Sequence, residues 1–266
     1  MNLIKAHALG NDFLLADEGE LHGAAEAGPI ARAVCGRRRG IGADGLILFA
    51  LDPGGARASM RLLNADGSPS EISGNGVRCL AAWLAHGHPD MTTFEVDTDA
   101  GTRRLDLLDR LGDRYTFRAA MGEPESVRQE QILVGRELVE AVTLRVGNPQ
   151  CVVLGEVSEE RLHTLGAALA VHPRFPAGTN VELAAVETPA RVRILIWERG
   201  VGPTEASGTG ACAAAVAAMR YGGAVRDLQV DSPGGTQRVE WRPDGLHLTA
   251  WAEIVAEVHW LAGRPP

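Results

Sequence analysis

Apolar and polar residues alternate at period two along Arg191-Val192-Arg193-Ile194-Leu195-Ile196-Trp197, and Leu46-Ile47-Leu48-Phe49 is a short continuous apolar run. Both patterns predict β-strands. A different period follows two glycine turns. Val77, Leu80, Ala81 and Leu84 recur at i, i+3, i+4 and i+7, and so do Ala211, Ala214, Ala215 and Ala218, which predicts two amphipathic helices. The small residues of the second helix let it pack closely inside a sheet. Each half of the chain is thus expected to open with strands and to turn through glycines into a helix. The weakly patterned stretch from Arg103 to Gln131, with Gly112-Asp113 and Gly122-Glu123-Pro124, is where the crossover between halves is expected.

The halves resemble each other. Ser73-Gly74-Asn75-Gly76, followed by Val77-Arg78-Cys79-Leu80, has a counterpart 134 residues later in Ser207-Gly208-Thr209-Gly210, followed by Ala211-Cys212-Ala213-Ala214. Gly10-Asn11-Asp12 recurs as Gly147-Asn148-Pro149. Polar turns at Asn64-Ala65-Asp66-Gly67 and Glu198-Arg199-Gly200 begin nine residues before each serine. Duplication of one unit is the simplest account.

Composition narrows the class. The chain has 266 residues, 45% hydrophobic and 23% charged, enough to bury a sizeable core in two domains or one large one. Its 26 Lys and Arg against 34 Asp and Glu give a formal charge of −8, which argues against nucleic acid or an anionic membrane as partner. With 32 Gly, 14 Pro and only 5% aromatics, short elements and many turns are expected rather than long helical bundles. The N-terminus lacks a basic head followed by an apolar stretch, and no apolar run reaches about eighteen residues, so a cytoplasmic chain is expected. Cys35, Cys79, Cys151 and Cys212 are widely spaced, without a C-x-x-C pair. They read as reduced, buried filler, and neither a disulfide framework nor a metal site is expected.

The paired glycine turns have a chemical consequence. A helix that starts at Gly-x-Gly leaves backbone N–H groups without partners at its positive end, which suits an anion. Two such starts from similar halves, closing on one cleft, would place Ser73 and Ser207 on either side of a bound carboxylate. That is the arrangement for removing a proton from one face of a carbon and returning it to the other. Taken singly, each serine is an ordinary N-cap and each Gly-x-Gly a tight turn. Asn11, Asn64, Asn75, Asn148, Asn180, Thr209 and the pair Glu198-Arg199 also lie in glycine-rich turns. They read either as turn formers and solvated charges or as a grip on carboxylate and ammonium groups.

Two nucleotide-like motifs fail on context. Gly40-Ile41-Gly42-Ala43-Asp44-Gly45 runs into a strand where dinucleotide binding requires a helix, and Gly208-Thr209-Gly210-Ala211-Cys212-Ala213 lacks a βαβ frame. His86-Gly87-His88 with Asp90 follows an apolar helix and reads as its solvated end.

At these same residues the chain resembles the diaminopimelate epimerase family across nearly its whole length. The matching motifs are Lys5-Ala6-His7-Ala8-Leu9-Gly10-Asn11-Asp12-Phe13, Gly40 to Gly45, Asn64 to Ser68, Gly74 to Cys79, Gly147-Asn148-Pro149, Gly178-Thr179-Asn180, Trp197 to Gly200 and Gly208-Thr209-Gly210. The resemblance implies an α+β fold of two pseudo-symmetric domains, each a β-sheet or barrel wrapped around a central α-helix. One domain would span residues 1–115, completed by a C-terminal strand at about 256–266, and the other residues 116–255. It further implies a cofactor-independent isomerase of lysine and cell-wall synthesis, usually a homodimer, whose partner is a small amino-acid substrate. The residues that match the family's substrate contacts are Asn11, Asn64, Gly74, Asn75, Asn148, Asn180, Glu198, Arg199, Gly208 and Thr209.

One departure bears on the chemistry. The family's two catalytic bases are cysteines placed immediately before Gly-Asn-Gly and Gly-Thr-Gly, and this chain carries Ser73 and Ser207 there. It also carries Gln150 where the family usually has a histidine after Gly-Asn-Pro. A thiol of pKa about 8.5 can be drawn toward neutrality by a helix start, whereas an alcohol needs a partner base. Cys79 and Cys212 lie at least one turn of about 3.6 residues further along and match other cysteines of the family. Three readings follow: a working epimerase in which the serines, with water and Glu198, move the proton; a Cys→Ser substrate trap; or a non-catalytic amino-acid binder. A related racemase or dehydratase acting on another substrate is a further alternative.

Overall fold

The computed structural model describes residues 1–21, 27–69, 73–99 and 101–261. The chain divides into two compact units, Met1–Ala119 with Trp251–Pro266, and Ala120–Ala250.

In chain order the first unit contains β1 (Asn2–Ala8), β2 (Asn11–Asp17), α1 (Ala27–Cys35), β3 (Gly45–Leu51), β4 (Arg57–Asn64), α2 (Gly74–Gly87), β5 (Thr93–Thr98) and β6 (Gly101–Leu111). Strand β7 (Arg114–Gly122) leads into the second unit, which contains β8 (Glu125–Val134), β9 (Glu137–Val146) and β10 (Asn148–Leu154). A broken helix follows, made of α3 (Glu159–Arg161), a π-helical stretch (Leu162–Gly166) and α4 (Ala167–Ala170). Then come β11 (Asn180–Thr188), β12 (Arg191–Glu198), β13 (Gly202–Thr204), α5 (Gly208–Tyr221), β14 (Asp227–Ser232), β15 (Gly235–Arg242) and the long β16 (Gly245–His259).

The strand pairings repeat one for one. In the first unit β1–β2 is antiparallel, β2–β3 parallel, β3–β4 antiparallel, β4–β5 parallel, and β5–β6 and β6–β7 antiparallel. In the second unit β9–β10, β10–β11, β11–β12, β12–β14, β14–β15 and β15–β16 run through the same series. Both parallel steps in each series demand a crossover, and a helix supplies every one of them. The end of β16 pairs antiparallel with β1, from Asn2 opposite His259 to His7 opposite Glu253, and β16 also neighbours β7, so the first sheet closes into a barrel. Residues 262–266 of the expected closing strand lie outside the described residues.

The two central helices are buried more completely than an amphipathic pattern implies. Ten of the 14 residues of α2 and ten of the 14 of α5 are buried. Around α2, Val77, Leu80 and Leu84 pack with Ile4, Phe13, Ile47, Phe49, Phe94 and Phe117. Around α5, Ala211 to Ala218 pack with Val142, Leu144, Ile194, Ile196, Leu228, Val230 and Leu248. A helix enclosed by its sheet is apolar all round, and the alanines of α5 let the strands approach closely. A second layer covers the outer face. Leu46 and Leu48 of β3 pack under Ala31 and Val34 of α1, while Ile47 and Phe49 point to α2. That explains the unbroken apolar run of β3, since both of its faces are covered. In the second unit Leu162, Leu165 and Leu169 cover Cys151, Val153, Val181 and Leu183.

One expectation needs correction. Leu46–Phe49 and Arg191–Trp197 are both strands, yet neither opens its half: they belong to β3 and β12, whose counterparts are β11 and β4. The chain passes from the first unit to the second after Ala119, inside the weakly patterned stretch 103–131, which is filled by β6, β7 and β8, strands with many exposed positions that blur the alternation. Among the described residues no helix is long and apolar enough to cross a membrane.

Candidate functional site

Each candidate serine caps a central helix. Ser73 is extended at φ −107° and ψ 119°, and its Oγ accepts from Gly76 N–H at 3.2 Å. Ser207, at φ −138° and ψ 128°, accepts from Gly210 N–H at the same distance. The hydroxyls thus satisfy one of the orphan amides at each helix start. Gly74 and Gly208 follow; Gly74 is exposed, and a Cβ there would meet nothing within 4 Å among the described residues, whereas Gly208 is buried. The start of α2 is therefore accessible over its first residue. The partial positive charge of a helix N-terminus lies there and favours a carboxylate.

In the first unit the asparagines form a chain. Asn75 Nδ2 donates to Asn11 Oδ1 at 3.1 Å, Asn11 Nδ2 donates to Asp44 Oδ2 at 2.8 Å, and the buried Arg78 guanidinium donates to Asn75 Oδ1. Asp44 also accepts from Arg37 at 2.7 Å, and its carbonyl accepts from Ala65 N–H, which ties in the turn after Asn64. Asn64 is exposed and donates to Ser68 Oγ at 3.0 Å. Beneath this chain, Lys5 and Arg37 both hold Asp12. Burial pushes the Asp12 carboxyl up, but its hydrogen bonds from Arg37 and Lys5 prevail and hold it down to about 2.

The second unit gathers its own set. Asn148 Oδ1 accepts from Gln150 Nε2 at 2.5 Å, and Gln150 stands opposite Asn180 in the β10–β11 register. Asn180 Oδ1 accepts from Arg199 N–H at 2.9 Å, and the Arg199 guanidinium donates to Ala177 O at 2.9 Å. Gly178, at φ +73°, lies under the Arg199 stem, where a Cβ would come within 2.8 Å of Cδ. Glu198 ends β12, half-buried, and its carbonyl accepts from Val201 N–H. Thr209 Oγ1 is 3.4 Å from Ser207 Oγ, and Gln237 Nε2 donates to Ser207 O at 3.3 Å.

Asp44, Arg78 and Gln237 did not stand out in the sequence. Asp44 sits in the Gly40–Gly45 loop, which fails as a dinucleotide motif and carries part of the family resemblance without marking Asp44 as a contact. A buried arginine inside an otherwise apolar helix is the signal that points to Arg78. Glu182 was also missed, although a charge inside Asn180-Val181-Glu182-Leu183-Ala184 is conspicuous in a strand buried on both faces. Its carboxyl is pushed well above the usual range, first by burial and then by the charge of Glu198. Cys79 and Cys212 lie inside the apolar cores around α2 and α5, and burial pushes the Cys79 thiol up to about 12.

Comparison with known proteins agrees with this geometry. The diaminopimelate epimerase family description matches residues 3–127 and 142–253. The chain is 41% identical to the diaminopimelate epimerase of Desulforudis audaxviator, over 98% of this chain and 99% of that protein. It is 40% identical to that of Desulfitobacterium hafniense, over 96% of each. Among solved structures it is similar in fold to a hydroxyproline epimerase from Agrobacterium vitis, with TM-score 0.70 and 17% identity, covering 97% of this chain and 91% of that one. Duplicated halves, capped central helices and end-to-end sequence identity converge, and the chain belongs to the diaminopimelate epimerase family.

Proposed function

We propose that the protein is a cofactor-independent epimerase that interconverts LL- and meso-diaminopimelate by removing the α-proton from one face and returning it to the other. Ser73 and Ser207 serve the two faces of one α-carbon. The observation that carries this reading is the pair of equivalent helix starts, each with a serine cap followed by a glycine. The amides of Gly74 and Gly208 and the Thr209 hydroxyl hold the α-carboxylate, whose charge must be neutralised as the carbanion forms. Asn11, Asn64, Asn75, Asn148, Asn180 and Arg199 grip the remaining carboxylate and ammonium groups, and Glu198 shares the proton transfer. In this reading the enzyme is a cytoplasmic homodimer of lysine and cell-wall synthesis.

One observation favours a second reading, a binder without turnover. Both serine hydroxyls act as helix caps, and an alcohol is far less acidic than the thiol it replaces. Product analysis after incubation with LL-diaminopimelate separates the two. The meso isomer is expected. Saturable binding without product supports the binder, and elimination products support a dehydratase. Restoring cysteine with Ser73→Cys and Ser207→Cys is expected to raise turnover.

A further inference from the structure

The strand registers place Ile47 and Glu182 at the same position of the repeated unit. Phe13 stands opposite Gly45 and Leu15 opposite Ile47, just as Gln150 stands opposite Asn180 and Val152 opposite Glu182. Both side chains reach the third residue of the central helix. A Cβ on Gly76 would lie 3.1 Å from Ile47 Cδ1 and 3.5 Å from Ser73 Cβ. A Cβ on Gly210 would lie 2.6 Å from Glu182 Oε1 and 3.2 Å from Ser207 Cβ. The carboxyl and the serine cap therefore flank the same point on α5.

Packing does not account for a carboxyl there. Ile47 shows that an aliphatic side chain fills the equivalent place, and Glu182 is fully buried, with neither oxygen hydrogen-bonded to any described residue. A buried polar group without a partner is costly and calls for a reason. The titratable groups coupled to Glu182 are Glu198 on β12 and Cys151 on β10.

We propose that Glu182 is the proton partner of Ser207, a positioning residue that makes this serine a competent base while Ser73, facing Ile47, has no counterpart. The proposal rests on the epimerase reading. When Ser207 acts as base, its Oγ takes the substrate α-proton while its own hydroxyl proton passes to the Glu182 carboxylate. The C–H electron pair stays on the substrate as a carbanion. In the return step Glu182 gives its proton back to Oγ and the Ser207 proton goes to carbon. The hydroxyl reaches the carboxyl by rotating away from Gly210 N–H. A raised carboxyl suits this role, because it is a stronger base than an exposed one.

Two measurements on the full chain test this. In protein labelled with ¹³C at glutamate carboxyls, the Glu182 signal is assigned with Glu182→Gln, or with Glu182→Asp if the amide variant fails to fold. Ser207→Ala is expected to move its titration midpoint by about half a pH unit or more, and Ser73→Ala to leave it in place. Equal shifts, or none, overturn the proposal. In α-proton exchange with diaminopimelate, Glu182→Gln is expected to lower kcat at least about tenfold, with KM changed less than about twofold. Unchanged kcat in folded Glu182→Gln also overturns it. If the wild-type protein shows no exchange, the epimerase reading fails and the titration alone decides for or against the coupling.

Discussion

Asn75, the second residue of α2, donates its side-chain amide to Oδ1 of Asn11, the first residue of β2, 3.1 Å away. Arg78 holds the other end of Asn75, and Asp44 holds Asn11, so both amides are fixed before any ligand arrives. Pre-oriented donors bind a carboxylate without the entropy of ordering flexible side chains.

Asn75→Ala removes the middle of that chain and one acceptor of the buried Arg78 guanidinium. We expect the affinity for diaminopimelate to fall roughly tenfold or more, as measured by calorimetry, since charge-assisted hydrogen bonds contribute about 1.5–3 kcal/mol. Arg199→Ala is expected to weaken binding to a similar degree. Unchanged affinity in both variants contradicts the assigned grip.

The two helix starts should respond differently to one added methyl. Gly210→Ala drives a Cβ to 2.6 Å from Glu182 Oε1, whereas Gly76→Ala meets a movable Ile47 methyl at 3.1 Å. We expect Gly210→Ala to destabilise the protein by about 1–3 kcal/mol and Gly76→Ala by less, read from urea unfolding. Equal losses would remove the argument that the carboxyl is packed against α5.

Stability should depend on pH in two opposite ways. The Glu182 carboxyl is raised in the folded protein, so its contribution is full below the ordinary value of 4.5 and is lost as pH rises through the folded pKa. Asp12 is held down to about 2, so its contribution is full above 3.8 and is lost as pH falls toward 2. Urea midpoints measured from about pH 4 to pH 8 should therefore show Glu182→Gln gaining on the wild type as pH rises. Parallel curves contradict an ionisable carboxyl buried at this position.

Leu80 is fully buried on α2 among the residues that line the first barrel. Leu80→Ala is expected to cost about 2–5 kcal/mol, because the closed sheet leaves little room to collapse around the cavity. A loss below about 1 kcal/mol would mean that the helix is not enclosed as described.

Much of this architecture is legible in the sequence wherever local chemistry sets it. The serine caps and the glycines after them mark the starts of α2 and α5, and the alternation of Arg191–Trp197 marks β12, because such signals need no tertiary context. The duplication is readable from the two Ser-Gly-x-Gly turns, but the apolar runs Leu46–Phe49 and Arg191–Trp197 lie in β3 and β12, which are not counterparts. A strand covered on both faces and one exposed on one face carry different patterns, so similar apolar content did not mean equivalent position. Residues that act through long-range contacts were the hardest to see. Asp44 reaches Asn11 across 33 residues and Glu182 reaches Gly210 across 28, and no local period reports either. The resemblance to the family named the substrate grip, and the structure adds the residues that hold that grip in place.

The most direct measurement follows LL-diaminopimelate with the purified wild-type protein in D₂O by proton NMR. The account predicts loss of the α-proton signal with appearance of the meso isomer, deuterated at the inverted carbon. A substrate-saturated protein that leaves the α-proton in place, with no deuterium in either isomer, would contradict it.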